Sequence, residues 1–181
     1  TDGEYSSSQV FTVTVNAVND APTLAAVDAV NFNEDSSTSI TLSGSDIDGD
    51  DLTYTVSAGT DIIASVEGTT VTFTAPTDFN GSESFTATVT DGEYSSSQVF
   101  TVTITPINDA PELSAVADVS FAEDDTSSIE LTATDVDNTD LTYSISEGTD
   151  ITASVDGATL SFTAPTDFNG SETFTATVTD G

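Results

Sequence analysis

Val99-Phe100-Thr101-Val102-Thr103-Ile104-Thr105-Pro106-Ile107-Asn108-Asp109-Ala110-Pro111 is an alternating run that stops at prolines. Apolar and threonine positions take turns, the period of a strand with one buried face. Proline removes a backbone donor and fixes φ, so no central strand runs through Asn-Asp-Ala-Pro. The same tetrapeptide occurs at Asn19-Asp20-Ala21-Pro22, again between one alternating run and the start of another. It reads as a junction between modules, with Asn and Asp bringing oxygen ligands to the joint.

Outward from the junction, residues 1–92 align without a gap on residues 90–181, a period of 89 positions. Thr1-Asp2-Gly3 recurs at Thr90-Asp91-Gly92 and at Thr179-Asp180-Gly181, and residues 1–13 return unchanged as 90–102. So long a period means whole domains in tandem rather than solenoid coils. Counted from the junctions, residues 1–18 are the C-terminal strand of a preceding repeat. Residues 19–107 form one complete repeat, and 108–181 a second that lacks its last strand. The stretch reads as cut from the interior of something longer.

Within the complete repeat the inward positions are Ile40 and Leu42; Leu52, Tyr54 and Val56; Ile62, Ala64 and Val66; Val71 and Phe73; Phe85, Ala87 and Val89; and Phe100, Val102 and Ile104. A first strand over residues 27–32 brings the count to seven. The intervening Thr and Ser suit a solvated sheet face. Seven short strands in under ~100 residues predict an all-β fold: tandem seven-stranded Greek-key β-sandwiches joined end to end. No 3.6-residue stripe predicts a helix. Disorder is the competing reading of an acidic Ser/Thr-rich chain, but the apolar residues are too regularly spaced for it. Asn80-Gly81 and Asn169-Gly170 are expected as tight turns, and each also opens an Asn-Gly-Ser glycosylation sequon.

The 181 residues hold 32 acids and no Lys, Arg or His, a formal charge of −32. That balance speaks of high salt or divalent cations. It leaves nothing to neutralise phosphates, so nucleic acid is excluded as a partner, and an anionic membrane surface is equally unsuited. Cysteine is absent, which removes disulfides and thiolate metal sites. No apolar run is long enough for a membrane span.

The acids cluster in Asp46-Ile47-Asp48-Gly49-Asp50-Asp51 and its counterpart Asp135-Val136-Asp137-Asn138-Thr139-Asp140, in Glu34-Asp35, Glu123-Asp124-Asp125, Asp78, Asp167, Asp91 and Asp180. Strand alternation lets these loops gather at the two poles of a sandwich. The Asp46 loop is not an EF-hand, since its sixth and twelfth positions are Asp51 and Ser57 rather than Gly and Glu. The glycine-rich nonapeptides of calcium β-rolls are absent too.

Phe85-Thr-Ala-Thr-Val-Thr-Asp91-Gly92, the Val-Phe-Thr-Val-Thr-Ile run and Asn108-Asp109-Ala110-Pro111, with Asp46-x-Asp48-Gly49 and Leu52-Thr-Tyr54, resemble the landmarks of a cadherin repeat and its linker. Together with Asp-Phe-Asn-Gly, the ordered set is similar to the bacterial cadherin-like (Ig-like) tandem repeats of large secreted adhesins and surface proteins. The resemblance implies calcium between successive repeats. At the second junction it assigns Glu34 and Asp78 from the first repeat, Asn108 and Asp109 from the linker, and Asp135, Asp137 and Asp180 from the second. At the first junction it assigns Asn19, Asp20, Asp46, Asp48 and Asp91, a partial site expected to bind weakly or stay empty. The cadherin Asp-Arg-Glu motif falls near Asp78-Phe79-Asn80, which lacks the acidic third residue.

Elementary electrostatics points the same way. Two carboxylates ~4 Å apart repel by about 1 kcal/mol in water and about 4 kcal/mol at an effective dielectric of 20. Five or six at one joint are a heavy load for a domain stable by about 5–15 kcal/mol. Calcium takes 6–8 oxygens in irregular geometry. The competing reading is a solvated acidic surface without specific sites.

Three functions compete. The first is a structural extender of a calcium-stiffened extracellular or cell-surface fibre of a secreted bacterial protein. Its partners would be neighbouring repeats, or head-to-tail copies in which residues 4–18 complete another chain's final repeat. The second is a ligand-binding adhesin module for carbohydrate or a cell surface, with Tyr5 and Tyr94 as candidate exposed aromatics. The third is an enzyme, disfavoured because only carboxylate pairs or hydroxyls could act and small tandem sandwiches offer little cleft.

Overall fold

The computed structural model describes residues 3–181, and every regular element among them is a strand. The chain divides into two units, Thr1–Pro106 and Ile107–Gly181.

Unit 1 holds nine strands: β1 (Thr23–Leu24), β2 (Val30–Asn33), β3 (Thr38–Thr41), β4 (Gly44–Ser45), β5 (Thr53–Val56), β6 (Ile63–Glu67), β7 (Thr70–Thr74), β8 (Gly81–Thr90) and β9 (Ser95–Thr105). One sheet has the order β2-β9-β8-β5, the other β3-β7-β6, and β1 pairs with β4. Connections that skip from one sheet to the other and back give the Greek-key sandwich that the alternation predicts. Every inward residue named from the sequence lies in or against one core. Val71, Phe73, Phe85, Val89 and Val102 are fully buried. Phe73, Phe85 and Phe100 form a ring cluster with centroids 5.4, 6.0 and 6.1 Å apart. Each such contact adds about 0.5–1.5 kcal/mol to the burial term.

Two local expectations need correction. The expected first strand over residues 27–32 is found only as β2, from Val30, and a separate short strand, β1, precedes it on a different partner. β1 pairs antiparallel with β4, whereas β2 pairs parallel with β9, Val30 opposite Val102 and Asn33 opposite Thr105. Between them the chain leaves the ladder, and the Val27 amide donates to the Gln98 side chain at 3.2 Å instead. Nor is Asn80-Gly81 the turn. The bend comes earlier, where the Phe79 amide donates to the Pro76 carbonyl at 3.3 Å. Asp78 takes the left-handed conformation there at φ 58°, which Asp tolerates better than most residues. Gly81 already opens β8. The Asn169-Gly170 expectation fails likewise, with Phe168 donating to Pro165 and Asp167 at φ 56°.

Unit 2 repeats the plan with β10 (Glu112–Leu113), β11 (Thr126–Glu130), β12 (Ala133–Thr134), β13 (Thr142–Ile145), β14 (Thr152–Asp156), β15 (Thr159–Thr163) and β16 (Ala176–Thr179). The sheet β11-β15-β14 matches its counterpart in unit 1 strand for strand. The opposite sheet contains β13 and β16 alone. Residues 6–18, which carry the β9 sequence, form no strand and are exposed throughout.

Candidate metal centre

In unit 1 the Asn-Asp linker, the Asp46 loop and the end of β8 meet at one pole. Asp46 Oδ1 accepts from the amides of Asp48 (2.8 Å) and Gly49 (3.1 Å), folding the loop around its own first carboxylate. Asp48 Oδ2 accepts from the Asp20 amide at 2.8 Å. Asn19 Nδ2 donates to Asp91 Oδ2 at 3.0 Å. Thus Asn19, Asp20, Asp46, Asp48 and Asp91, all named from the sequence, share one pole. Carboxylate oxygens of Asp46, Asp48 and Asp50 lie within 4.8 Å of one another.

Unit 2 rebuilds the arrangement. Asp135 Oδ1 accepts from the Asp137 and Asn138 amides at 2.8 and 2.6 Å. Asp137 Oδ2 accepts from the Asp109 amide at 2.7 Å, and Asn108 Nδ2 donates to Asp180 Oδ2. Two neighbouring changes separate the polar groups of the copies. Thr139 stands where unit 1 has Asp50, and Asn138 replaces Gly49, its Nδ2 donating to Asn108 Oδ1 at 2.8 Å. An amide bridge takes the place of a third carboxylate.

One oxygen in each unit tests whether a cation fits. Asp46 Oδ2 and Asp135 Oδ2 are both sealed from solvent and have no hydrogen-bond partner. A buried carboxylate oxygen without a donor is costly. A hard cation with several carboxylate and carbonyl neighbours would satisfy it. Electrostatics agree. Asp50 is held above the ordinary carboxylate range, by desolvation first and then by the charges of Asp46, Asp48, Asp91 and Asp51. Asp91 lies below it. Desolvation pushes its carboxyl up, but the Tyr94 and Glu93 amides and the Asn19 side chain together outweigh that.

Glu34 and Asp78 lie elsewhere in unit 1. Asn80 precedes the ten-residue β8 and Asp91 follows it, so at ~3.4 Å per residue the strand sets the two groups about 35 Å apart, at opposite poles. Glu34 is buried at 5 % exposure, and Asn80 Nδ2 approaches its Oε2 at 3.5 Å. The Asp78 amide donates to Asp35 Oδ1 at 3.2 Å, and Asp35 is itself left-handed at φ 57°. Asp35 was not among the residues the sequence singled out as ligands. Its place directly after Glu34 was the available signal.

A second carboxylate role had escaped the sequence reading. Glu83 accepts from the amides of Thr60, Asp61 and Ile62 at 2.8, 2.7 and 3.2 Å. Desolvation raises its pKa, but these three donors together hold it below the ordinary glutamate range. Glu172 does the same for Asp150, Thr149 and Ile151, the Asp150 amide contributing most to its lowered pKa. Gly59 makes room for the clasp. A Cβ there would overlap the Ile62 carbonyl oxygen and the Glu83 carboxylate, and would press on the Phe85 ring at 2.8 Å. These acids pin a loop and are no part of the Asn-Asp pole.

Residues 19–105 and residues 108–181 each match the bacterial Ig domain family. The chain belongs to that family. Both matches begin at or next to an Asn-Asp-Ala-Pro linker, so the family's unit and the 89-residue repeat run in phase. Among solved structures, bacterial Ig repeats of this kind share their fold with Drosophila N-cadherin EC1-4 (TM-score 0.54, 18% identity, 78% of this chain and 40% of that one). The extracellular cadherin domains 1–5 of protocadherin gamma B2 are similar at TM-score 0.54 and 16% identity, over 84% of this chain and 34% of that one. Over 121 residues, 65% of the chain, it is 31% identical to Chitinase A of Pseudoalteromonas piscicida. The match spans 15% of that enzyme's length. Domains of this fold are typically non-catalytic. No helix among the described residues is long and apolar enough to cross a membrane.

Proposed function

We propose that these repeats are extender modules of a secreted or surface-exposed bacterial protein, and that calcium held at the Asn-Asp pole of each repeat stiffens its joint. The observation that carries this reading is the sealed, partnerless Oδ2 of Asp46 and of Asp135, repeated at the same loop position in both units. Calcium there would bind the linker to the loop that follows it and so fix the direction in which the preceding chain leaves. Without it, like charges on linker and loop repel and the joint flexes. The likeness to a small part of a much larger chitinase supports a spacer role, in which such repeats separate working domains. The cadherin-like fold supports calcium as the ion.

Small-angle scattering of the 181-residue chain tests the proposal. Millimolar calcium is expected to lengthen the maximum dimension and narrow the distance distribution relative to chelator at equal ionic strength. Equal profiles in the two buffers would overturn it.

A further inference from the structure

The loops at the two Asn-Asp poles differ at two neighbouring polar positions, Gly49-Asp50 in unit 1 and Asn138-Thr139 in unit 2. In unit 1 the loop gathers three carboxylates, with oxygens of Asp46, Asp48 and Asp50 within 4.8 Å of one another. Two oxygens on one calcium, each ~2.4 Å from it, are at most ~4.8 Å apart, so one ion can touch all three. Without an ion, three like charges at that spacing repel. Gly49, left-handed at φ 84°, has no side chain to reach the linker. Among the described residues the linker is tied to this loop by one hydrogen bond, from the Asp20 amide to Asp48. Its Asn19 binds Asp91, after β8, instead.

Unit 2 lacks the third charge, since Thr139 is neutral. Asn138 does not take the left-handed backbone of Gly49. Its side chain turns to the linker, where Nδ2 donates to Asn108 Oδ1 at 2.8 Å. Asn108 donates in turn through its own Nδ2 to Asp180 Oδ2. Loop, linker and the residue after β16 are thus joined in one relay, Asn138 to Asn108 to Asp180. The Asp109 amide adds a second tie to the loop, to Asp137 Oδ2 at 2.7 Å. The link between Asn138 and Asn108 joins two neutral groups, so it needs no cation and is not weakened by ionic screening.

We propose that the Asn138–Asn108 bond is an ion-free clip. It keeps the unit 2 linker on its loop when the pole holds no cation, whereas the Gly49-Asp50 form leaves the linker dependent on one. The inference rests on the calcium reading of the poles for what the clip replaces, and on the hydrogen bond alone for how it holds. Both poles keep a sealed oxygen, Asp46 Oδ2 and Asp135 Oδ2, so both retain a place for the ion. Positions 49–50 and 138–139 set how firmly the linker stays attached once the ion leaves. A series of repeats carrying both forms would slacken at some joints before others as calcium falls.

The test is hydrogen exchange resolved to single amides by NMR, on the 181-residue chain in chelator at fixed salt. The Asp109 amide is the probe, because it lies in the linker next to Asn108 and bonds to the loop. Asn138→Asp is isosteric and sets an oxygen against Asn108 Oδ1 in place of the donor. Asn138→Ala removes the group altogether. In either variant Asp109 is expected to exchange about fivefold faster than in wild type, the effect of one net hydrogen bond on a local opening. Asn138 lies outside the unit 2 core, and unchanged protection in β14 and β15 verifies that the unit stays folded. The Asp20 amide of unit 1 is expected to keep its wild-type rate. Calcium is then added to Asn138→Asp, which has a third loop carboxylate beside Asp135 and Asp137, and is expected to return Asp109 to the wild-type rate. Faster exchange in chelator that calcium does not reverse upholds the clip and counts against calcium at the pole. An Asp109 rate unchanged by both variants in chelator overturns the clip and leaves the calcium reading as it was.

Discussion

The backbone amide of Asp20 donates to the Oδ2 of Asp48 at 2.8 Å across 28 positions of sequence. That bond ties the linker to the acidic loop before any cation is considered. It also orients the loop, because Asp48 held from one side leaves Asp46 Oδ2 facing inward with no donor. The first quantity to measure is therefore the affinity of that pole for calcium.

Asp46→Asn keeps an Oδ1 that can accept from the Asp48 and Gly49 amides and replaces the sealed Oδ2 by a donor. Asp135→Asn does the same in unit 2. Each is expected to weaken calcium binding at its own pole at least about tenfold, or about 1.4 kcal/mol. Isothermal titration of each variant reads this directly, and unchanged affinity in both would show that the pole is not the site.

Asp50→Asn should act in the opposite sense. Asp50's carboxyl is harder to ionise in the fold than in the unfolded chain, so its charge at neutral pH opposes folding. In chelator the variant is expected to melt at a higher temperature than wild type. Calcium should erase much of that difference by compensating the same repulsion. A lower melting temperature in chelator would contradict the electrostatic account.

Glu83 gives a pH dependence of known sign. Its folded pKa lies below the unfolded value of about 4.3. Its contribution is therefore complete above that value and is lost as pH falls through the lower folded one. Glu83→Gln is expected to lower the melting temperature at neutral pH and to flatten the acid limb below about pH 4. Melting curves for both proteins across that range provide the check. Parallel acid limbs would mean that the clasp does not titrate.

Gly59→Ala meets the carbonyl of Ile62, the Glu83 carboxylate and the Phe85 ring at once. It is expected to destabilise unit 1 by about 1–3 kcal/mol, the usual cost of forcing volume into a packed core. Denaturant unfolding measures this, and a neutral result would show the loop to be looser than its hydrogen bonds imply.

What could be read from the sequence followed from burial. Phe85, Ala87 and Val89 alternate with Thr because one face of β8 is dry, so the period exposes the core and, with it, the sandwich. Asn80-Gly81 misled because turn propensity is a backbone preference, and here Asp78, held by Asp35, already made the bend. The late start of β2 and the separate β1 before it were hidden as well, since Val27 leaves the ladder for a side-chain partner 71 residues away. Glu83 sits on the inward alternation with Phe85, Ala87 and Val89, but beyond their dry stretch and between the exposed Ser82 and Ser84, where an acid looks solvated. Only the approach of residues 60–62 in three dimensions makes it a clasp. The meeting of Asn19, Asp20, Asp46, Asp48 and Asp91 at one pole follows from which loops join which strands, and that much an ordered set of motifs can carry.

The parallel pairing of β2 with β9 has a mechanical consequence. β2 lies near the start of unit 1 and β9 near its end, and they run the same way with Val30 beside Val102 and Asn33 beside Thr105. Tension applied through the two ends draws these strands past each other along their length. Their hydrogen bonds are then loaded in shear, all together, rather than peeled one at a time. A rung built this way resists until its bonds give way as a set.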